Sequence, residues 1–260
     1  MSKNYIVLRN SPDWLYFDRE DSREFCRKRG LSETLIIDFI QIWDSEMSVR
    51  YLNFRHQMKL ISIGNYKSVN EGVFLNKSEF EFTELKPDDL IVFVDDDDWL
   101  SPDLFRCLRG LYDVYDGVKW GSIRLGVDFS SSVDARSDKV LYLRKIDRLI
   151  YTNNYAVTGQ AINRLGHDAL FEHGDAQSEF DGGRYRATTI PEYLSVANKH
   201  PCCTMAARFF LGSESFVADP RAAVLRFSRA LADVRLAPEM NWMAAPIHAL
   251  AELVDSAVAL

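Results

Sequence analysis

The chain has 260 residues, of which 47% are apolar, enough for the core of one large domain. Its 31 lysines and arginines against 38 aspartates and glutamates give a net charge of −7 without a basic cluster, which argues against a duplex nucleic-acid partner. No secretory leader or transmembrane span is found, and the four cysteines form no disulfide framework, so we expect a cytoplasmic protein.

The N-terminal part predicts a βαβ unit. Residues 5–9 form a short apolar strand that runs into a polar turn with Asn10 and Ser11. A helix then leads to a second apolar strand over residues 34–43, and Asp44 follows that strand directly. Strand, helix and strand in this order are typical of an α/β sheet.

The next segment predicts a helix over residues 46–58 and a short strand over 60–64, followed by a mixed stretch over 65–87. Residues 90–94 are five consecutive apolar residues with no polar alternation. This pattern predicts a strand buried on both faces at the centre of the sheet.

Four consecutive aspartates, residues 95–98, follow the central strand and are here called the acidic loop. Adjacent carboxylates repel one another unless they face water or a cation, and Mg²⁺ or Mn²⁺ would relieve that repulsion. Ligands of open α/β sheets bind at the carboxyl ends of the strands, which is where this loop lies. A solvated loop and a structural Ca²⁺ site are the alternatives. Ser101 and Pro102 then predict the start of a helix.

The apolar strand, the acids and the Trp that follows resemble the metal-binding Asp-x-Asp signature of GT-A-fold, family-2-like glycosyltransferases. The resemblance implies that the acidic loop lies against a nucleotide-diphosphate sugar and its metal ion. It places the residues as follows: Asp95, Asp97 and Asp98 at the metal, and Asp95 and Asp96 beside Asn10, Ser11 and Asp44 at the nucleotide. The usual Thr-Tyr-Asn loop and Asp-Gly turn of the family are absent here.

The second half of the chain predicts two antiparallel strands over residues 118–129 and 140–148. Residues 151–160 combine tyrosines with uncharged hydrogen-bonding side chains, which suits a sugar, although an ordinary strand and turn explains them equally well. A helix is predicted over residues 163–180, and a strand over 193–197.

The family resemblance also implies a catalytic base and a late histidine ligand. By position, Asp175 and Glu172 are the candidates for the carboxylate that deprotonates an acceptor hydroxyl, with Glu179 and Asp181 behind them. The family's Glu-Asp pair is missing here. His200, which follows a predicted strand, is the candidate for completing the metal shell.

Residues 216–260 predict a C-terminal helical extension, with a first helix over 222–231 and a last one over 249–254. We expect this extension to pack on the domain or to form a homodimer contact. Peripheral contact with a membrane surface is a further option for its first, arginine-bearing helix.

The predicted fold is α/β, a GT-A-like Rossmann-type mixed sheet flanked by helices over residues 1–215, followed by the extension. The predicted activity is transfer of a sugar from a nucleotide-sugar donor to a hydroxyl acceptor, such as a glycan, with Mn²⁺ or Mg²⁺ as cofactor. Two alternatives remain: another metal-dependent nucleotide-processing enzyme of the nucleotidyltransferase kind, and a Ca²⁺-binding module without enzymatic activity.

Overall fold

The structure is a computed structural model that describes residues 2–9, 47–76, 79–80, 85–128, 139–146, 153–166, 178, 180–183, 186–199, 223–227 and 238–258. The described residues form a mixed α/β fold around one sheet, which confirms the α/β part of the predicted fold class. The predicted strand over 34–43 lies outside the described residues. Nine described strands form the sheet: β1 (Asn4–Arg9), β2 (Gly72–Asn76), β3 (Leu90–Asp95), β4 (Trp99–Leu100), β5 (Gly117–Asp128), β6 (Lys139–Ile146), β7 (Tyr155–Thr158), β8 (Ala187–Lys199) and β9 (Ala223–Phe227).

Three parallel strands, in the order β2, β1, β3, form one half of the sheet. The prediction for the central strand is confirmed, because all five apolar residues of β3 are buried. Leu90, Val92 and Val94 pack into the apolar cluster on one face of the sheet, whereas Ile91 and Phe93 pack into the cluster on the other. Burial on both faces explains why the sequence of β3 shows no polar alternation.

The other half of the sheet is mostly antiparallel. β7 lies antiparallel between β3 and the first residues of β5, and β6 continues along β5 and pairs at its far side with β9. β8 runs parallel to β5 and also pairs with the short β4. The register of β5 and β8 slips around Gly121, where Pro191 of β8 lies. Proline cannot donate to a ladder and is found at such irregularities.

Four α-helices are described: α1 (Met47–Lys67), α2 (Leu104–Leu108), α3 (Gly159–Leu165) and α4 (Ala244–Val258), which a 3₁₀ helix (Pro238–Met243) precedes. The last helix of the predicted C-terminal extension is therefore confirmed, and it packs on α1. None of the described helices combines the length and the apolar character needed to cross a bilayer.

The predicted strand over residues 60–64 is wrong, since this segment is the continuation of α1. A short apolar run does not by itself distinguish a strand from a helix. The burial pattern resolves the ambiguity: Met58, Ser62 and Tyr66, spaced four residues apart, are buried, whereas Leu60 is half exposed. β2, which lies in the stretch that the sequence analysis left unassigned, was missed.

Three other predictions need correction. Ala223–Phe227 forms the edge strand β9 instead of a helix, because β6 offers it a partner that the local sequence does not reveal. The helix predicted over 163–180 begins earlier, at Gly159, and α3 ends at Leu165, before Gly166, whose positive φ of 82° is accessible mainly to glycine. Residues 167–177 of the predicted helix lie outside the described residues. Ser101 is not the N-cap of α2: it accepts from the Asp103 N–H one turn before that helix begins.

Candidate functional site

The acidic loop lies at the carboxyl end of β3, as the sequence predicted. β1 runs parallel beside β3, and their register places Arg9 next to Asp95 at the same end of the sheet. The two side chains form an ion pair of 3.0 Å between Nε of Arg9 and Oδ1 of Asp95, with 10% and 23% of their surfaces exposed. A fixed positive charge therefore lies directly beside the first carboxylate of the loop.

The main chain of the acidic loop folds into a turn that α1 holds from one side. The Asp98 N–H points to the Asp95 carbonyl, 3.4 Å away. The Tyr66 hydroxyl lies within hydrogen-bond distance of the carbonyl oxygens of both Asp95 and Asp98, and is 2.6 Å from the latter. Tyr66 is almost completely buried. A single phenol thus ties together the two ends of the loop.

Asn65, the residue before Tyr66, binds the strand that follows the loop. Its side-chain amide donates to the Leu100 carbonyl at 2.9 Å and accepts from the Leu100 N–H at 2.7 Å. Leu100 is paired with Ser195 of β8 on the other side. The Asn65 amide therefore replaces the peptide group of a neighbouring strand and fixes the exit of the acidic loop.

β8 holds the loop from the opposite side. The Asn198 N–H donates to Oδ1 of Asp98 at 2.9 Å, and the Asn198 side chain donates through Nδ2 to the Asp97 carbonyl at 2.5 Å. Asp98 is 1% exposed. A buried carboxylate that accepts a main-chain N–H has an evident structural role, in addition to any role at a ligand.

The four carboxylates differ in exposure. Asp96 and Asp98 are buried, whereas Asp95 and Asp97 are partly exposed. Among the residues that the structure describes, no three or more His, Cys, Asp or Glu side chains are grouped so that they could hold a metal ion. A cation at the loop would therefore have to draw on one or two carboxylates and on other oxygen donors, which Mg²⁺ commonly does when it keeps waters and binds phosphates.

The acidic surroundings also act on Tyr66. Burial first, and then the charges of the acidic loop, raise the pKa of the Tyr66 phenol well above its usual value. The phenol therefore keeps its proton, and with it the hydrogen bond to the loop, at neutral pH.

We expect the raised pKa of Tyr66 to make the folded protein less stable in alkali. Unfolded tyrosine ionises near pH 10, while folded Tyr66 stays protonated, so its contribution to the free energy of unfolding is complete below about pH 10 and falls above it. Absorbance at 295 nm checks this: native protein and Tyr66→Phe should ionise alike around pH 10. If the variant lacks one tyrosine's worth of signal there, Tyr66 titrates as an exposed residue.

Most of the other predicted site residues fall in undescribed parts of the chain. Asn10, Ser11, Asp44, Glu172, Asp175, Glu179 and His200 lie outside the described residues. Asp181 is described, and its Oδ1 lies 3.9 Å from Nζ of Lys119. The described part of the site is thus the acidic loop, Arg9 and the side chains that hold them.

In the segment predicted to suit a sugar, the structure favours the ordinary strand-and-turn alternative. Asn153 and Asn154 are buried and donate through their side-chain amides to the carbonyls of Val196 and Trp120. Tyr155 is buried between Phe93 and Phe180. The side-chain N–H groups of both asparagines and the ring of Tyr155 therefore help to hold the sheet together.

Asn65, Tyr66 and Asn198 are not among the site residues predicted from the sequence. Their partners in the loop lie 32 or more residues away in sequence, except for the Tyr66 contact with Asp95, which spans 29. The one local signal is the amide of Asn198, which follows the buried residues 194–197 near the end of β8. A scan against protein-family models and a search of curated proteins both find no match for this chain.

Proposed function

We propose that this protein is a metal-dependent glycosyltransferase that moves a sugar from a nucleotide-diphosphate sugar to a hydroxyl acceptor. The observation that carries the proposal is the position of the acidic loop at the carboxyl ends of two adjacent parallel strands, with Arg9 paired to its first acid. This end of an α/β sheet is where ligands bind. The mixed sheet, whose parallel half carries the acids, is compatible with the GT-A-like arrangement that the motif resembles.

The residues present fit a hard divalent cation in part. Asp95 and Asp97 are the partly exposed acids and supply the carboxylate oxygens that Mg²⁺ or Mn²⁺ prefers. Asp98 would bind such a cation through Oδ2, because its Oδ1 accepts a hydrogen bond from the Asn198 N–H. His200 remains the proposed protein ligand outside the loop, two residues beyond Asn198 in the sequence. When bound, such a metal ion supplies Lewis-acid stabilisation of the leaving diphosphate.

The protein's own groups would position the donor and manage its charge. Arg9 contributes a guanidinium at the edge of the site, where a diphosphate brings negative charge close to the carboxylates. Asn10, Ser11, Asp44 and Asp96 are proposed to contact the nucleotide. For an inverting transfer, Asp175 or Glu172 is the proposed base that removes the proton from the acceptor hydroxyl.

The proposal is tested by the calorimetric binding of UDP, GDP and dTDP with and without Mn²⁺, to the native protein and to Asp97→Asn. We expect one nucleotide to bind in a Mn²⁺-dependent way and the variant to lose this binding by about 100-fold, the upper range for losing a site ligand's support. The nucleotide that binds would identify the class of donor sugar.

Asp103→Asn is the matched control, since it removes the same charge a few residues further along the chain from a half-exposed carboxylate that pairs with Arg106. It should bind nucleotide as the native protein does. Binding of a nucleoside triphosphate in preference to all three diphosphates would favour the nucleotidyltransferase alternative. Ca²⁺ binding with no nucleotide binding under any metal condition would overturn the proposal and favour a structural cation site.

A further inference from the structure

The side-chain oxygen of Asn198 is a buried acceptor beside the acidic loop. Asn198 is 2% exposed, and its Oδ1 has no hydrogen-bond partner among the described residues. Its two donors both bind the loop: the main-chain N–H donates to the Asp98 carboxylate, and the side-chain Nδ2 donates to the Asp97 carbonyl. A buried acceptor without a donor is energetically unfavourable, so we expect Oδ1 to bind a donor or a cation.

The orientation of this amide is fixed by its neighbour. Nδ2 lies 2.5 Å from the Asp97 carbonyl, and a carbonyl oxygen can only accept. Rotating the amide by half a turn would bring Oδ1 against that carbonyl, which is repulsive. Standard bond lengths separate the two amide heavy atoms by roughly 2.3 Å, so Oδ1 lies within about 5 Å of the Asp97 carbonyl oxygen.

The surroundings of Oδ1 favour a cation as its occupant. Four carboxylates lie within the loop that Asn198 contacts, and Arg9 forms an ion pair with the first of them, Asp95. A neutral amide oxygen is a common ligand of hard divalent cations, and it adds no further negative charge to a crowded acidic site. It also supplies an oxygen donor where the described carboxylates alone do not form a group of three.

We propose that Asn198 is a ligand residue of the acidic-loop site and binds a hard divalent cation through its amide oxygen. The inference rests on the proposed function for the identity of the site, but it concerns the cation alone. Its role can therefore be tested without any nucleotide or sugar.

The experiment measures binding of Mn²⁺ and Cd²⁺ alone to native protein, Asn198→Ala and Asn198→Cys. We expect both variants to bind Mn²⁺ at least about tenfold more weakly than the native protein. Because a thiolate prefers soft ions, Asn198→Cys should regain Cd²⁺ binding, raising its preference for Cd²⁺ over Mn²⁺ by at least about tenfold. If the role of Asn198 were purely structural, both variants would lose affinity for Mn²⁺ and for Cd²⁺ by the same factor.

Asn154→Cys is the matched control, because it also removes a buried amide that donates to a main-chain carbonyl, that of Trp120. Its Cd²⁺ to Mn²⁺ preference should equal that of the native protein. Native Mn²⁺ affinity in Asn198→Ala, or equal losses for both ions in Asn198→Cys, would overturn the inference.

A measurement on the native protein covers the case in which the variants do not fold. Mg²⁺ added to the isotopically labelled protein should shift the side-chain amide resonances of Asn198 more than those of Asn154. Equal or absent shifts would contradict the assignment. Mn²⁺ binding without nucleotide binding would leave Asn198 as a ligand residue while removing the transferase proposal, so the two failures are distinguishable.

Discussion

The variant Gly159→Ala should unfold more easily than the native protein by about 3 kcal/mol or more, the upper end for a buried steric conflict. A Cβ at Gly159 would lie 2.0 Å from the Lys86 carbonyl oxygen. That carbonyl cannot move away at low energetic cost, because hydrogen bonds hold it in place. It accepts from the Asp89 N–H, and the Asp89 carboxylate in turn accepts from the N–H groups of Lys86 and Lys3. The conflict is therefore between two fixed stretches of main chain.

Thermal and urea unfolding measure this effect, with an expected drop in the unfolding midpoint of about 10 °C. Gly64→Ala is the matched control. Gly64 lies inside α1, a Cβ there would meet no atom within 4 Å, and alanine in a helix is favoured over glycine by about 1 kcal/mol. The two identical substitutions should thus change stability in opposite directions. Destabilisation by both would mean that the close approach at Gly159 is not the cause.

The second large effect is expected for Asn65→Ala, at about 3 kcal/mol of lost stability. The substitution removes both side-chain bonds to Leu100 and leaves a buried N–H and a buried carbonyl without partners, each costing about 1–3 kcal/mol. Since Leu100 directly follows the acidic loop and Trp99, the loop should lose its fixed exit as well. Urea unfolding measures the stability change, and Mn²⁺ affinity reports on the loop.

The variant Asn4→Ala separates the effect of burial from the effect of losing a side-chain amide hydrogen bond. The Asn4 side chain also donates to a main-chain carbonyl, that of Glu71, but it does so in an exposed position. Water can replace this bond, so the free energy of unfolding should change by no more than about 0.5 kcal/mol. A similar loss in both asparagine variants would contradict the role assigned to Asn65.

The centre of the sheet could be predicted from sequence because its signal is local. Five apolar residues followed by acids predict a doubly buried strand that ends at a ligand-binding edge, and β3 with its acidic loop has this form. The start of α1 was also predicted, because helical spacing is a property of neighbouring residues. The continuation of α1 through Gly64 was not, since a short apolar run fits either element.

The residues that hold the site could not be predicted, because their roles depend on contacts across the fold. Nothing in the neighbourhood of Tyr66 indicates that its hydroxyl will meet the carbonyls of Asp95 and Asp98. The strand β9 was mistaken for a helix for the same reason, since its partner β6 is remote in sequence. Residues 223–227 form a strand because they pair with β6, although the alanine-rich and leucine-rich stretch over 222–231 that contains them favours a helix by local propensity.

The bond between Asp98 and Asn198 spans 100 residues of chain. Loop-closure entropy hardly separates this bond from the pairing of β1 with β3, whose partners, such as Asn4 and Leu90, are almost as far apart along the chain. What separates the two is the order of synthesis, because β1, β2 and β3 all precede β8. During synthesis, a nascent chain that has emerged only as far as β7 already carries all four aspartates, but it lacks the strand that fixes two of them. The acidic loop can therefore reach its final geometry only after β8 has been synthesised and has paired with β4 and β5.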